Sequence, residues 1–141
     1  MDARTTRGDR VDADEPSTQA RGFFDRFATA FASFDAAMVA ELFATPGVAH
    51  RRDGSLVALT AREDVLRYYQ AALDNYHRNG CRSCRWLDLE VTPMGSRSML
   101  AAVTWELLRE DGSVVSRWRQ SYGLSQSEAG PKIFASSMHA E

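Results

Sequence analysis

No stretch of this sequence approaches the eighteen or so consecutive apolar residues that span a bilayer, and the N-terminus carries no apolar signal-peptide core. No membrane partner is expected. Cysteine is scarce as well. Cys81 and Cys84 alone cannot build a disulfide framework, so a reducing, cytoplasmic compartment is expected. Lysine is scarcer still: sixteen of the seventeen basic residues are arginine, and Lys132 is the exception. The arginines are scattered, and with a formal net charge of -2 the chain lacks the basic stripe that binds nucleic acid through its phosphates. It has no glycine-rich phosphate loop, no G-x-S-x-G elbow and no H-E-x-x-H pair. Cys81-Arg82-Ser83-Cys84 has no second pair or spaced histidine to complete a zinc site. An extended chain would also hold its two Cα atoms roughly 10 Å apart, too far for a disulfide. No metal and no cofactor is expected.

What is present is ordinary globular material: 44% apolar residues, with seven Phe, four Tyr and three Trp among 141 residues. That length suits one domain with a continuous core. Residues 1–16 hold eight charges and, after Met1, Val11 as the one large apolar residue. Such a stretch buries too little surface to offset its ordering entropy. A disordered charged tail over residues 1–16 and a single domain over 17–141 are expected.

From Ser17 onward the pattern changes. Phe23, Phe24, Phe27, Phe31 and Phe34 recur at helical spacing and predict a first helix with an aromatic stripe. Asp35 caps a predicted second helix bearing Met38, Val39, Leu42 and Phe43, which Thr45-Pro46-Gly47 ends. Asp53-Gly54 joins two short β-prone runs, 48–52 and 55–59. Thr60-Ala61-Arg62-Glu63 reads as a capping box. It opens a third helix with Val65, Leu66, Tyr69, Ala72, Leu73 and Tyr76 on one face, and Asn79-Gly80 stops it.

The remainder predicts strands. Leu87, Leu89 and Val91 alternate with Asp88 and Glu90 before Pro93 breaks the run. A long hairpin follows, 98–110 and 113–126, about Asp111-Gly112. A type I′ turn there sets Trp105 opposite Trp118, Glu106 opposite Arg117 and Thr104 opposite Arg119. One face then carries Val103, Trp105, Leu107, Trp118, Gln120 and Tyr122, and the other Glu106, Arg117, Arg119 and Ser121. A last strand spans 132–139.

This order of elements resembles the nuclear transport factor 2-like superfamily, as do the phrases FFDRFATAFASFD, AMVAELFA, Thr60-Ala61-Arg62-Glu63 with YYQAAL, and the terminal KIFASSMH. The resemblance covers residues 22–139. It implies an α+β fold in which three N-terminal helices pack in the concave face of a curved, mostly antiparallel sheet, with a pocket at the open end of the cone. It also implies a homodimer through the outer sheet face, where Glu106, Arg117 and Arg119 form a mixed-charge surface. Such folds host many chemistries. The isomerase's Tyr and Asp pair and the epoxide hydrolase's Asp-Arg-Asp set have no counterpart here, so those roles are not carried over.

Two catalytic candidates arise from the residues. His50 sits in the first short strand, near where the pocket of such folds lies, and an imidazole is the side chain suited to general-base work at neutral pH. Asp88 shares its strand face with Trp86 and Glu90, and a carboxylate in a dry cavity can do acid/base work. The opposing reading makes both surface groups. For ligand binding, Trp105, Trp118, Gln120 and Tyr122 from the sheet, Tyr69 from the third helix, Phe27 and Phe31 from the first, and Trp86 form an aromatic wall suited to a flat apolar molecule. Tyr68 and Tyr76 are similarly placed. Cross-strand aromatic pairs also stabilise sheets without any ligand. Three functions therefore stand side by side: a pocket for a small apolar ligand, a cofactor-independent SnoaL-like cyclase, isomerase or dehydratase, and a non-catalytic dimerisation module.

Overall fold

In the computed structural model, residues 2–140 are described, with side chains from Glu15 onward. The aromatic stripe does what its spacing dictates. Helix α1 (Asp2–Phe31) buries Ala20, Phe23, Phe24, Phe27, Ala30 and Phe31, each large side chain contributing about 1.5–3 kcal/mol when removed from water. Phe34, expected within this helix, lies past its end with φ of 53°. The backbone of α1 runs on through Pro16. The tail expected over residues 1–16 falls almost wholly on residues whose side chains lie outside the described set.

Asp35 caps α2 (Ala36–Ala40) as expected, accepting from the Ala37 N–H at 2.9 Å. The helix is shorter than its apolar pattern suggests. Met38 is exposed, and Phe43 begins strand β1 (Phe43–His50), which contains Thr45-Pro46-Gly47 instead of ending before it. Pairing with Ile133 from the far end of the chain recruits Phe43 into the sheet; tertiary contact overrides a short helical pattern.

Helix α3 (Arg62–Arg78) starts one residue later than a Thr60 cap would give. Asp64, not Glu63, completes the cap: its Oδ2 accepts from the Thr60 and Ala61 N–H groups at 2.9 and 3.0 Å. Ala61, at the cap position, has no side-chain oxygen to reciprocate. Gly80 ends the helix in the left-handed conformation (φ 97°) that a non-glycine residue resists.

Strands β2 (Leu56–Leu59), β3 (Ser83–Met94), β4 (Ser98–Leu108), β5 (Val114–Ser127) and β6 (Gly130–Met138) complete one six-stranded sheet in the order β2-β1-β6-β5-β4-β3. Only β1–β6 is parallel among its pairs. The expected register of the long hairpin is observed: Trp105 faces Trp118, Glu106 faces Arg117 and Thr104 faces Arg119. The connection differs from a two-residue turn. The Arg109 N–H bonds to the Ser113 carbonyl across a three-residue loop with Gly112 at φ 87°, and a bulge between Leu107 and Leu108 restores the register. The β1–β2 loop has the same form, with the Arg51 N–H bonded to Ser55 O and Gly54 at φ 88°. In both loops an aspartate (Asp53, Asp111) accepts from the N–H and hydroxyl of the serine two residues on.

Two glycines let backbone and ring approach closely. A Cβ on Gly47 would sit 2.8 Å from the Phe134 carbonyl oxygen, and one on Gly123 would sit 2.6 Å from the Phe134 ring, which covers that glycine on the outer sheet face. A ring can rotate; a carbonyl inside a sheet cannot. Gly47→Ala is therefore expected to cost about 1–3 kcal/mol and to lower the melting temperature by roughly 3–10 °C, as calorimetry would read. An unchanged melting temperature would contradict the β1–β6 packing described.

Candidate functional site

The inward face of the sheet carries a row of three tryptophans. Trp86 of β3 pairs with Trp105 of β4, which pairs with Trp118 of β5. Helix α1 lies across one end of this row. Phe24 packs on Trp86, Trp105 and Tyr122, and Phe27 packs on Trp105 at a centroid distance of 5.3 Å. The other end is not covered by α1. There α3 presents Tyr68, Tyr69 and Tyr76, with Tyr76 stacked on Trp118 at 6.0 Å. Between them lies a cavity of about 60 Å³ lined by Phe27, Phe31, Tyr68, Tyr69, Ala72, Tyr76, Cys84, Trp105, Leu107, Trp118, Gln120, Tyr122 and Met138.

Seven of the eight expected ligand-binding residues come together here: Phe27, Phe31, Tyr69, Trp105, Trp118, Gln120 and Tyr122. Trp86 does not. It is roofed by Phe24, and its indole N–H donates to Asp25 at 2.9 Å. The two catalytic candidates also lie elsewhere. His50 is exposed on the face opposite the buried Ala49, with its Nδ1 2.9 Å from the Ser137 hydroxyl. Asp88 is exposed at a bulge, with φ of 55°, and its carbonyl accepts from Arg119 at 2.7 Å. That bulge breaks the simple alternation assumed for the strand, because the pairing shifts between Leu87 and Glu90. Glu90 and Arg119 pair beside it.

Tyr68 and Tyr76 also line it, and Ala72, Leu107, Met138 and Cys84, which are not among the expected site residues, complete the lining. Leu107 was placed on the right face, and Cys84 is its cross-strand partner. Extending the inward face from β4 to β3 would have found it. Met138 pairs with Gln120 across β5–β6, a contact that sequence spacing does not disclose.

The polar groups of the cavity divide into engaged and unengaged. The Trp105 indole N–H donates to the Tyr122 hydroxyl at 2.6 Å, and that of Trp118 donates to Gln120 Oε1 at 2.8 Å. These bonds fix the two rings and orient the Gln120 amide nitrogen as a free donor. The hydroxyls of Tyr68, Tyr69 and Tyr76 bond to no other described residue. Burial holds the tyrosine hydroxyls protonated: it raises Tyr69 well above the usual phenol range, and Tyr122 likewise, the latter despite the hydrogen bond from Trp105. Burial also pushes the Cys84 thiol up to about 12. Among the described residues no histidine and no carboxylate lines the cavity, and no group of three or more metal-binding side chains is present. The cavity is thus an apolar sleeve with neutral hydrogen-bond donors.

A pH dependence follows. The folded chain holds the protons of Cys84, Tyr69 and Tyr122 more tightly than the unfolded chain does. Their contribution to stability is intact below the ordinary thiol value near 9 and is lost as the pH rises towards 12. Denaturant midpoints are expected to be level between pH 7 and 8.5 and to fall above pH 9.5. Alkylation of Cys84 at pH 8 should be slow until denaturant is added. Rapid alkylation of Cys84 in the native protein would contradict the desolvated setting of this part-buried thiol.

Among the described residues no helix is long and apolar enough to cross a membrane. No curated protein matches the sequence. Solved structures do match the fold. An NTF2-like protein with a cystatin-like fold from Novosphingobium aromaticivorans superposes with a TM-score of 0.74 at 15% identity, over 96% of this chain and 88% of that one. Aln2 from a Streptomyces species gives 0.73 at 12% identity, over 89% and 91%. A domain of unknown function with a cystatin-like fold from Nostoc punctiforme gives 0.70 at 16%, over 90% and 78%. At such identities the likeness speaks for the fold alone. The sequence itself matches the family described as NTF2-like protein (DUF6841) over residues 14–141, and the chain belongs to that family.

Proposed function

We infer that this domain binds a small, largely apolar molecule, inserting one flat group into the sleeve between α3 and the Trp105–Trp118 wall. The observation that carries this reading is the set of polar groups without protein partners, three phenol hydroxyls and the Gln120 amide, around an otherwise aromatic cavity. These groups are not sealed in: among the described residues no fully buried polar side-chain atom lacks a partner, so the four reach open space, where a ligand can meet them. The cavity of about 60 Å³ is well below the ~300–1,000 Å³ of sites that enclose whole drug-sized ligands. It suits a single ring, with the remainder of the molecule outside. Without an imidazole or carboxylate in the lining, binding is favoured over SnoaL-like acid/base catalysis.

The test is a titration with 1-naphthol, followed by tryptophan fluorescence and by melting temperature. Quenching is expected, with a melting temperature that rises with ligand concentration. Trp118→Ala should weaken binding about tenfold, equivalent to about 1.4 kcal/mol, while the protein stays folded, since Trp118 is only partly buried. If 1-naphthol neither quenches nor stabilises, and Trp118→Ala unfolds the chain, the sleeve is a core and the reading fails.

The outer sheet face supports self-association as a second property. Glu106 there is nearly buried between Arg85 and Arg117, and Arg119 is taken up by Glu90, so these charges are matched within the chain. Beside them an apolar row of Val48, Ala135, the Phe134 ring over Gly123, and Leu100 crosses four strands, with Val48 and Leu100 exposed. Such a row self-complements about a two-fold axis. Light scattering is expected to give twice the 15.7 kDa chain mass, reduced by Leu100→Arg; a monomer at high micromolar concentration would sink the idea.

A further inference from the structure

The sleeve does not open onto neutral surface. Tyr68, Ala72, Tyr76 and Met138 line both it and a larger external hollow of about 540 Å³, whose other walls include Arg51, Arg52, Asp53 and Asn75. The two arginines are set there by the β1–β2 loop. The Arg51 N–H and carbonyl are tied to Ser55 and Gly54 across the turn, which fixes the backbone from which both side chains project. Neither guanidinium makes a hydrogen bond or ion pair with another described residue, whereas most arginines nearer the sheet do.

The neighbouring Asp53 offsets part of this charge, and its carboxylate acts on Arg51 through space, but it forms no ion pair with either arginine. Asp53 is committed to Ser55, accepting from its N–H at 2.9 Å and from its hydroxyl at 2.6 Å. The phenols at the junction feel the arginines. Burial raises both Tyr68 and Tyr76, while Arg51 pulls in the opposite direction on each and Arg52 does so on Tyr76. In a chain of net charge -2, Arg51 and Arg52 against Asp53 leave the charged walls of the hollow with one net positive charge, beside the sleeve with which it shares four lining residues.

We propose that the ligand is an aromatic acid, with its ring in the sleeve and its carboxylate in the outer hollow on Arg51 and Arg52. This rests on the sleeve being a binding site and adds the class of molecule. Arginine offers a planar fork of donors that matches a carboxylate. The hydroxyls of Tyr68 and Tyr76 stand between ring and anion as further donors. At an exposed mouth the charge contributes modestly and in a salt-dependent way. It serves mainly to choose the acid over a neutral molecule of the same shape.

The experiment compares 4-phenylbutyrate with its methyl ester by calorimetry on the full chain at low ionic strength. The acid is expected to bind about tenfold more tightly than the ester, and 0.5 M sodium chloride should reduce that preference. The double variant Arg51→Gln/Arg52→Gln should bring the acid down to the affinity of the ester and leave the ester unchanged. Its fold should be retained, because both side chains are exposed and the turn is held by backbone bonds. Trp118→Ala should weaken both compounds. Equal affinities for acid and ester in the unmodified protein, or an acid preference that survives the double variant, would overturn the anion site and leave the sleeve standing. No binding of either compound would overturn the sleeve and this inference with it.

Discussion

The contact on which everything else depends is the seat of α1 in the bend of the sheet, where Phe24 and Phe27 meet Trp105 and Tyr122. Four large rings at one crossing exclude water from the centre of the molecule. They also decide where the sheet is filled and where it is open. Because α1 spends its aromatic stripe on one end of the tryptophan row, the other end must be covered by α3. There the covering residues are tyrosines, whose hydroxyls keep the joint from closing as a purely apolar one. The same packing that makes the core therefore leaves an amphipathic gap beside it.

The hydrogen bonds within that gap work as fixtures. An indole free to rotate would fill the space; tied to Tyr122 and Gln120 by their N–H groups, the two rings stand as walls. A fixed aromatic wall loses little entropy when a ring is placed against it, which is the condition under which a small pocket can bind at all. Cys84 and Met138 at its edge supply soft, adaptable surface.

Much of this was legible from the chain. The stripe at Phe23, Phe24, Phe27 and Phe31, the Asp35 cap, the Gly80 stop and the facing of Trp105 and Trp118 all follow from local periodicity and turn chemistry, and local periodicity survives folding. The family resemblance supplied the concave sheet that turns those stripes into a cavity. What could not be read depended on irregularities or on distant partners. The bulge at Asp88 cannot be seen in an alternating pattern, so Asp88 and Glu90 were placed by a rule that the strand breaks. Phe43 looks helical until Ile133 pairs with it. His50 was assigned to the mouth from fold analogy, whereas one residue of alternation, with Ala49 inward, turns it outward; the next two residues, Arg51 and Arg52, are the ones that line the hollow beside the opening.

The tip of the β4–β5 hairpin holds two offsets of one residue that cancel: a three-residue loop about Gly112 and a bulge beside Leu108. Strand faces alternate with a period of two, so parity along β5 is set at this exposed tip and inherited by every residue that follows. The chain thus has a spatial reading frame some five residues from the tryptophan wall. Gaining or losing one residue at the tip, with no matching change in the bulge, would shift that frame and carry Trp118, Gln120 and Tyr122 to the outside together. A surface loop that touches neither ring is in this sense the element that keeps the aromatic wall indoors, and its length is under tighter constraint than its exposure suggests.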